Sequence, residues 1–397
     1  MNVLFIWDGE YPWDIRVEKV CDALLDAGHE VHLVCRNQFN KPRFERYRGL
    51  NIHRIAALPK FLGRLNSVFT FPAFFSPVWL ATLVRVARKH NCSLIVARDL
   101  PMAPAALLVR KLTGASVILD MAECYPEMLR CAWQFEKFRL ANLVARNPAV
   151  ADWIEKFVLK RVQHTFVMIE ESKERLLAKQ VPPENVSIVS NTPDLSRFKS
   201  ERPESGVTDG FELVYVGLLN PSRGVDTVLR AVAQLPASLH NFKLRVIGSG
   251  KHASYLRNLA SELKLHERVV FDGWVENTRV PGLIAQGSAG IVPHYACSHW
   301  NTTIPNKLFD YMAAGKPVIV SDAIPTARIV KEVGCGLVYE SHDAAALARA
   351  IAALSDPQTR ARLGAAGRAA VEAKFNWSHD RAVLNAVVAK YSLAAGK

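Results

Sequence analysis

The sequence predicts an α/β protein built from two doubly wound domains in series. Short apolar runs alternate with segments of helical period along the whole chain. Those runs are apolar throughout, as strands of a parallel sheet covered on both faces are. The alternation breaks off once, in a Pro-, Ser- and Gly-bearing stretch over 191–210, and then restarts. A chain of 397 residues suits two or three domains. With 50% hydrophobic and 22% charged residues it can bury a large core, which excludes wholesale disorder.

Asn2 to Trp7 reads as the first strand and not as a leader, having neither a basic start nor a small-residue cleavage site. Val17, Val20, Cys21, Leu24 and Leu25 follow at helical spacing, Gly28 stops that helix, and Glu30 to Cys35 is the next strand. Further strands are expected over 50–56, 93–98, 115–120, 164–169 and 186–190, with helices near 76–90, 101–113, 149–163 and 171–180. Beyond the linker come strands 211–216, 242–247, 268–272, 289–293 and 317–321, with helices at 223–234, 252–264, 278–286, 306–314, 343–354 and 358–373. The tail from Trp377 to Leu393 is one more helix. The expected domains are 1–200, 201–375 and a terminal helix over 376–397. Facing domains of this kind form a cleft at the carboxyl ends of their strands, where doubly wound folds bind ligands, so group transfer between two substrates is the expected class of activity.

The net charge is +13, and Arg36 to Lys111 contains fourteen basic residues against Glu45 and Asp99. Within it, Phe61 to Leu80 is apolar but carries Arg64, Asn66, Pro72 and Pro77, too interrupted for a spanning helix. Two readings stand: a surface over 36–111 that lies on anionic lipid, or a loop and helix packed into the core with solvated arginines around it. Nucleic acid is not an expected partner, as no RNA-binding or helix-turn-helix signature occurs. The seven cysteines are scattered and odd in number, with no Cys-x-x-Cys. That disfavours a disulfide framework or zinc ribbon and fits a reducing cytosol.

Four motifs carry chemistry. Tyr215 to Gly224 ends a strand in a glycine turn with Arg223 at a helix start, where amides and a guanidinium suit phosphate, although such turns also occur without one. Val246-Ile-Gly248-Ser-Gly250 lacks the third glycine of a dinucleotide site and reads equally as a tight turn. From His294 to Asp322 a strand opens into a polar loop, and the amides over 302–306 begin a helix suited to a diphosphate or a sugar. Asp310, one turn in, is either a ribose acceptor or a solvated helix residue. Finally, Ser116 to Met128 delivers Asp120 and Glu123 to a strand end, where they either orient acceptor hydroxyls, one acting as a base, or cap the next segment.

These motifs together resemble the family 4 retaining glycosyltransferases of the GT-B fold, almost end to end. The resemblance lies in Asp14 to Glu18 with Ala27 to Val31, Val189 to Asp194 with Phe198, Val216-Gly217 with Arg223-Gly224, Phe309 to Ile319, and Trp377 with the last helix. It implies two Rossmann-like domains facing across a cleft and a terminal helix crossing back to the first domain. It also implies that Arg223 neutralises a leaving diphosphate, that Asp310 binds ribose, and that Thr303, Ile304, Pro305 and Asn306 contact phosphate or donor sugar. Lys307, Gly217 and Gly248 join the donor site, Gly9 approaches the phosphates, and Asp120 and Glu123 lie near the acceptor. Three positions depart from the family pattern: Thr302, Ala122 and Leu218 stand where a carboxylate, a histidine and an arginine are usual.

The expected reaction moves a sugar from a nucleotide-diphosphate sugar, with UDP and GDP left open, to a glycan or lipid-linked glycan in bacterial surface polysaccharide synthesis. Neither a cofactor nor a metal is expected, since no Asp-x-Asp pair stands in the donor region. The expected place is the cytoplasm, peripheral at the inner face of the membrane. A sugar-nucleotide epimerase on the same fold is the alternative. A nicotinamide oxidoreductase is disfavoured by the absent third glycine, and a basic binding module leaves Phe309 to Ile319 unaccounted for.

Overall fold

The computed structural model describes residues 1–12, 14–55, 76–135, 146–198 and 210–394. The apolar stretch over 61–75 and linker residues 199–209 lie outside the described residues. The chain divides into two compact units. Unit 1 holds Met1–Leu129, Phe138–Ser190 and Asp380–Lys397, and unit 2 holds Arg130–Lys137 and Asn191–His379.

In chain order unit 1 contains β1 (Asn2–Ile6), α1 (Ile15–Asp26), β2 (Glu30–Cys35), β3 (Phe44–Tyr47), β4 (Leu50–Arg54), α2 (Pro77–Lys89), β5 (Leu94–Arg98), α3 (Ala103–Thr113) and β6 (Ser116–Asp120). There follow α4 (Tyr125–Phe135), whose last turns group with unit 2, then α5 (Pro148–Leu159), β7 (His164–Val167), α6 (Glu170–Ala178) and β8 (Val186–Ile188). The sheet order is β3-β4-β2-β1-β5-β6-β7-β8, parallel except where β3 pairs antiparallel with β4 at the edge. Helices start where side chains close their first amides: Asp14 accepts from Val17 N at 3.0 Å and Ser76 from Trp79 N at 3.4 Å. The core joins Leu4, Ile6, Val34 and Ile95 of the sheet to Trp79, Leu83, Ala105 and Val109 of the covering helices.

Unit 2 contains β9 (Phe211–Val216), α7 (Val225–Ala233), β10 (Phe242–Ile247), α8 (Ala253–Glu262), β11 (Val269–Gly273), α9 (Val280–Gln286), β12 (Ala289–Val292), α10 (Asn306–Ala313), β13 (Val318–Ser321), α11 (Ile324–Val333), β14 (Gly336–Tyr339), α12 (Ala344–Ala353) and α13 (Pro357–Ala373). The last helix, α14 (Trp377–Ala394), groups with unit 1 from Asp380 onward. The second sheet is wholly parallel in the order β11-β10-β9-β12-β13-β14. Leu213, Tyr215, Leu244, Ile291 and Ile319 meet Val228, Leu256, Leu347 and Ile351 in its core. One disulfide, Cys131–Cys297, packs with Trp300 and Ala323. The cysteine count did not anticipate it, because its partners stand 166 residues apart; the other five cysteines are free and buried.

Candidate active site

In unit 2 the strand order reverses between β9 and β12, the place where open parallel sheets hold ligands at their carboxyl ends. β9 ends at Val216 and delivers Gly217; β12 ends at Val292 and delivers Pro293 and His294. Gly217 and Gly248 leave their strands side by side, and a Cβ on Gly248 would stand 1.9 Å from the Gly217 carbonyl oxygen. A Cβ on Gly217 would stand 2.6 Å from Lys307 Nζ, so the missing side chain is the space that the lysine occupies. Gly224 follows Arg223 with φ +66°, and a Cβ there would meet the Pro293 carbonyl at 1.9 Å. The turn after β9 is pinned to the end of β12 as well by Tyr295 N donating to Ser222 O at 3.0 Å.

Arg223 and Lys307 converge on one imidazole. Arg223 Nη1 lies 3.0 Å from His294 Nε2, and Lys307 Nζ 3.5 Å from the same nitrogen. The Arg223 guanidinium also stacks 4.3 Å over the Trp300 ring, whose other neighbours are His294 at 4.0 Å and His299 at 4.4 Å between centroids. Lys307 Nζ sits 4.2 Å above the Tyr215 ring. Burial, then the charges of Arg223 and Lys307, holds His294 well below the ordinary histidine value, so it is a neutral acceptor. Burial, then Arg223, holds the Lys307 amine well below the ordinary lysine value, with Asp310 pulling the other way. A partly buried guanidinium and a buried amine that meet at a neutral imidazole make an arrangement suited to an anion.

The loop over 302–305 leads into α10. Thr303, Ile304 and Pro305 are buried, while Asn306 and Asp310 are partly exposed. Pro305 is the cap residue and offers no side-chain acceptor to the first amides of the helix. A helix start of this kind, with its dipole, favours negative charge. The Thr302 hydroxyl turns back to the carbonyls of Ser298 and His299, at 3.0 and 3.1 Å. Arg223, Gly217, Lys307 and the start of α10 are thus brought together, and Asp310 stands one turn along from Lys307. His294 and Trp300, which the sequence reading gave no role, complete the cluster.

In unit 1, Asp120 differs from its expected role. It is 1% exposed, receives Arg16 Nε at 3.0 and 3.1 Å and Nη2 at 2.5 Å, and lies 3.6 Å from Arg98 Nη1. Burial alone would raise its carboxyl, but Arg16 and then Arg98 outweigh burial and hold it below the ordinary value. Asp120 is therefore a buried ion-pair anchor and not a carboxylate open to an acceptor. Through it Arg16 is aimed at the carbonyls of Val189 and Ser190, at 2.9 and 3.1 Å. Asp99, which the sequence reading passed over, directly follows β5 with φ +63° and accepts from the amides of Ala122 and Glu123 at 2.9 and 3.1 Å. Burial first, moderated by Arg98, lifts its carboxyl to about 6. Glu123 is thereby fixed through its backbone at the end of β6 and remains partly exposed. Gly9 lies in the turn after β1 beneath Trp7, where a Cβ would run into the indole at 2.5 Å.

Two family models cover most of the chain between them. A glycosyl transferase 4-like domain matches residues 14–192, and the glycosyl transferases group 1 match residues 197–370. Among curated relatives, the lipopolysaccharide core biosynthesis glycosyltransferase LpsD of Rhizobium meliloti is 28% identical over 52% of this chain and 55% of its own length. A GDP-mannose-dependent phosphatidylinositol monomannoside mannosyltransferase of Corynebacterium glutamicum is 29% identical over 57% and 58%. The chain spans about half the length of the curated relatives it matches. Among solved structures, sucrose-phosphate synthase of Thermosynechococcus elongatus superposes with a TM-score of 0.81 at 20% identity, over 99% of this chain and 100% of the other. The Anabaena protein HepE, in complex with UDP-glucose, gives 0.74 at 18% identity over 98% and 100%. With a family match on each half and GT-B proteins as structural neighbours, the chain belongs to the group 1 glycosyltransferases of the GT-B fold.

Proposed function

We propose that the protein moves a sugar from a nucleoside-diphosphate sugar to a hydroxyl of a glycan or lipid-linked glycan, with retention, in bacterial surface polysaccharide assembly. The observation that carries this is the convergence of Arg223 and Lys307 on His294 at the reversal point of the second sheet, beside the start of α10. As the bond from the anomeric carbon to the diphosphate breaks, negative charge grows on the departing oxygen. Arg223, Lys307 and the first amides of α10 are already oriented to receive it. On this reading these groups meet the departing charge and no metal is called for. Retention places the incoming hydroxyl on the leaving-group face, so the departing diphosphate is the base nearest its proton. Asp310 takes the ribose hydroxyls. On the acceptor side the reading rests on Glu123, with Asp120 reduced to an anchor. The lipopolysaccharide enzyme among the relatives supports the acceptor class. UDP-glucose in HepE and GDP-mannose in the name of the mannosyltransferase support a nucleotide-sugar donor and keep both bases in play.

Arg223→Ala is expected to cost about 3 kcal/mol of transition-state stabilisation, a fall of roughly 100- to 1,000-fold in kcat. Transfer assays with a panel of UDP-, GDP- and ADP-sugars check it, after a thermal-shift screen has picked the donor that stabilises the native chain. Near-native turnover in the variant would remove the guanidinium from the reaction.

The reading also places the enzyme at an anionic membrane surface on the cytoplasmic side. No helix among the described residues is long and apolar enough to cross a membrane. The described support for surface contact is an aromatic face on α5, where Val150, Trp153 and Phe157 are exposed, next to Lys156, Lys160 and Arg161.

A further inference from the structure

Three histidines far apart in sequence meet in unit 1, away from every residue given a role above. His32 lies on β2, His53 on β4, and His90 directly follows α2. β2 and β4 are parallel neighbours in the register His32↔Asn51 and Val34↔His53, so both histidines share the face that α2 covers. The three rings offer nitrogens that all lie within 4.8 Å of one another. His32 Nδ1 is 3.2 Å from His53 Nε2, and the His32 and His90 rings are 3.9 Å apart at their centroids. Two nitrogens bound at 2.0–2.1 Å to one tetrahedral zinc would stand about 3.3–3.4 Å apart, close to the separation seen.

The surroundings prepare the rings as ligands. His32 is 1% exposed, and His90 Nε2 is buried without a hydrogen-bond partner among the described residues. Glu30 Oε1 lies 3.3 Å from His32 Nε2 and is held by Asn51 Nδ2 at 3.2 Å. His32 Nε2, like His90 Nε2, makes no hydrogen bond among the described residues, and the nearby carboxylate favours the ring proton on Nε2, which leaves the Nδ1 lone pair for a metal.

We propose that His32, His53 and His90 form a binding site for a divalent transition metal of the zinc class, with the fourth position taken by water. Imidazole donors select zinc, nickel or copper over magnesium or calcium. His32 lies in the first half of β2, His53 in the second half of β4 and His90 just before β5, whereas Gly9 follows β1 and Glu123 follows β6. The metal is structural: it ties β2, β4 and the end of α2 together and takes no part in glycosyl transfer.

Chelator-stripped full chain titrated with zinc chloride in a calorimeter is expected to bind one ion per chain and to gain thermal stability. Cobalt(II) in its place is expected to give the intense visible bands of tetrahedral coordination. His53→Ala and His90→Ala, each checked for folding by circular dichroism, should each weaken the affinity ~100-fold or more. Glu30→Gln should weaken it ~10-fold. His266→Ala, an exposed histidine elsewhere, should leave it unchanged. Failure of the wild-type chain to take up either metal saturably, or equal uptake by both His→Ala variants, would overturn the proposal and leave three stacked, hydrogen-bonded rings.

Discussion

Lys307 is 7% exposed and shares His294 with a second cation. Alone that is unfavourable, since burial and Arg223 both act against its charge. Between its lowered value and the ordinary lysine value, the unfolded chain binds more protons than the native one. The stability of the unliganded protein therefore rises with pH across that window. Lys307→Met keeps the apolar stem and removes the charge. It should stabilise the unliganded protein at neutral pH by ~1 kcal/mol, about 2–4 °C in Tm, and flatten that slope. It should also lose most of the Tm gain from UDP or GDP. Scans at pH 7 and 9, with and without nucleotide, check all three, and an undiminished ligand shift would take the amine out of the site. Lys307, Asp310 and Arg223 stand out in the sequence because each sits in a compact motif, and Arg223 and Lys307 meet at His294. His294 was not, because its partner Arg223 is 71 positions away and only the strand order joins them. Asp120 misled for a related reason: a strand-end carboxylate looks the same in sequence whether it meets solvent or Arg16.

At the scale of elements, the strands that showed plainly are the short apolar ones, such as Ala289–Val292 and Val318–Ser321, buried throughout. Those that did not are β3, β14, α4 and α11. β3 reads Phe-Glu-Arg-Tyr, an edge strand with three exposed residues, and edges lack the apolar signature. β14 is a four-residue strand that begins with glycine, too short to show a period. The helix over Tyr125–Phe135 begins inside the Ser116 to Met128 motif, which masks its start, and Ile324–Val333 follows its strand after only two residues. Helix-to-helix ties were equally hidden. Glu155 on α5 is fully buried and receives Arg175 of α6 at 2.7 and 2.9 Å, with Lys179 on the same carboxylate. Glu155→Ala should destabilise unit 1 by about 3–5 kcal/mol, because it takes from Arg175 its carboxylate partner and leaves Lys179 with Asp152 alone, at 3.0 Å. Urea unfolding followed by circular dichroism measures this; a loss under ~1 kcal/mol would mean that the pair is not what joins α5 to α6.

For the molecule as a whole, the charge distribution is the feature that glycosyl transfer alone leaves unused. The chain carries +13, most of it between Arg36 and Lys111, and the apolar centre of that region lies outside the described residues over 61–75. What is described points to a neighbouring surface. Trp153 is 67% exposed, its ring stacks on Phe157 at 6.0 Å, and Arg161 covers Phe157 at 3.8 Å. Arg110 of α3 reaches the Arg161 carbonyl at 2.6 Å, and Leu108 and Leu112 of that helix are exposed as well. Aromatic side chains ringed by Lys and Arg suit the boundary between acyl chains and anionic headgroups, each basic residue near the surface adding about 1 kcal/mol. The wild-type chain should therefore float with phosphatidylglycerol vesicles and not with purely zwitterionic ones, and high salt should release it. Trp153→Ala with Phe157→Ala should cut the bound fraction severalfold without lowering transfer to a soluble acceptor, since neither residue belongs to the donor cluster. Were the double variant to float as well as the wild type, contact would have to come from elsewhere in the basic region; were the wild type not to float at all, an acceptor presented at a membrane would lose its support.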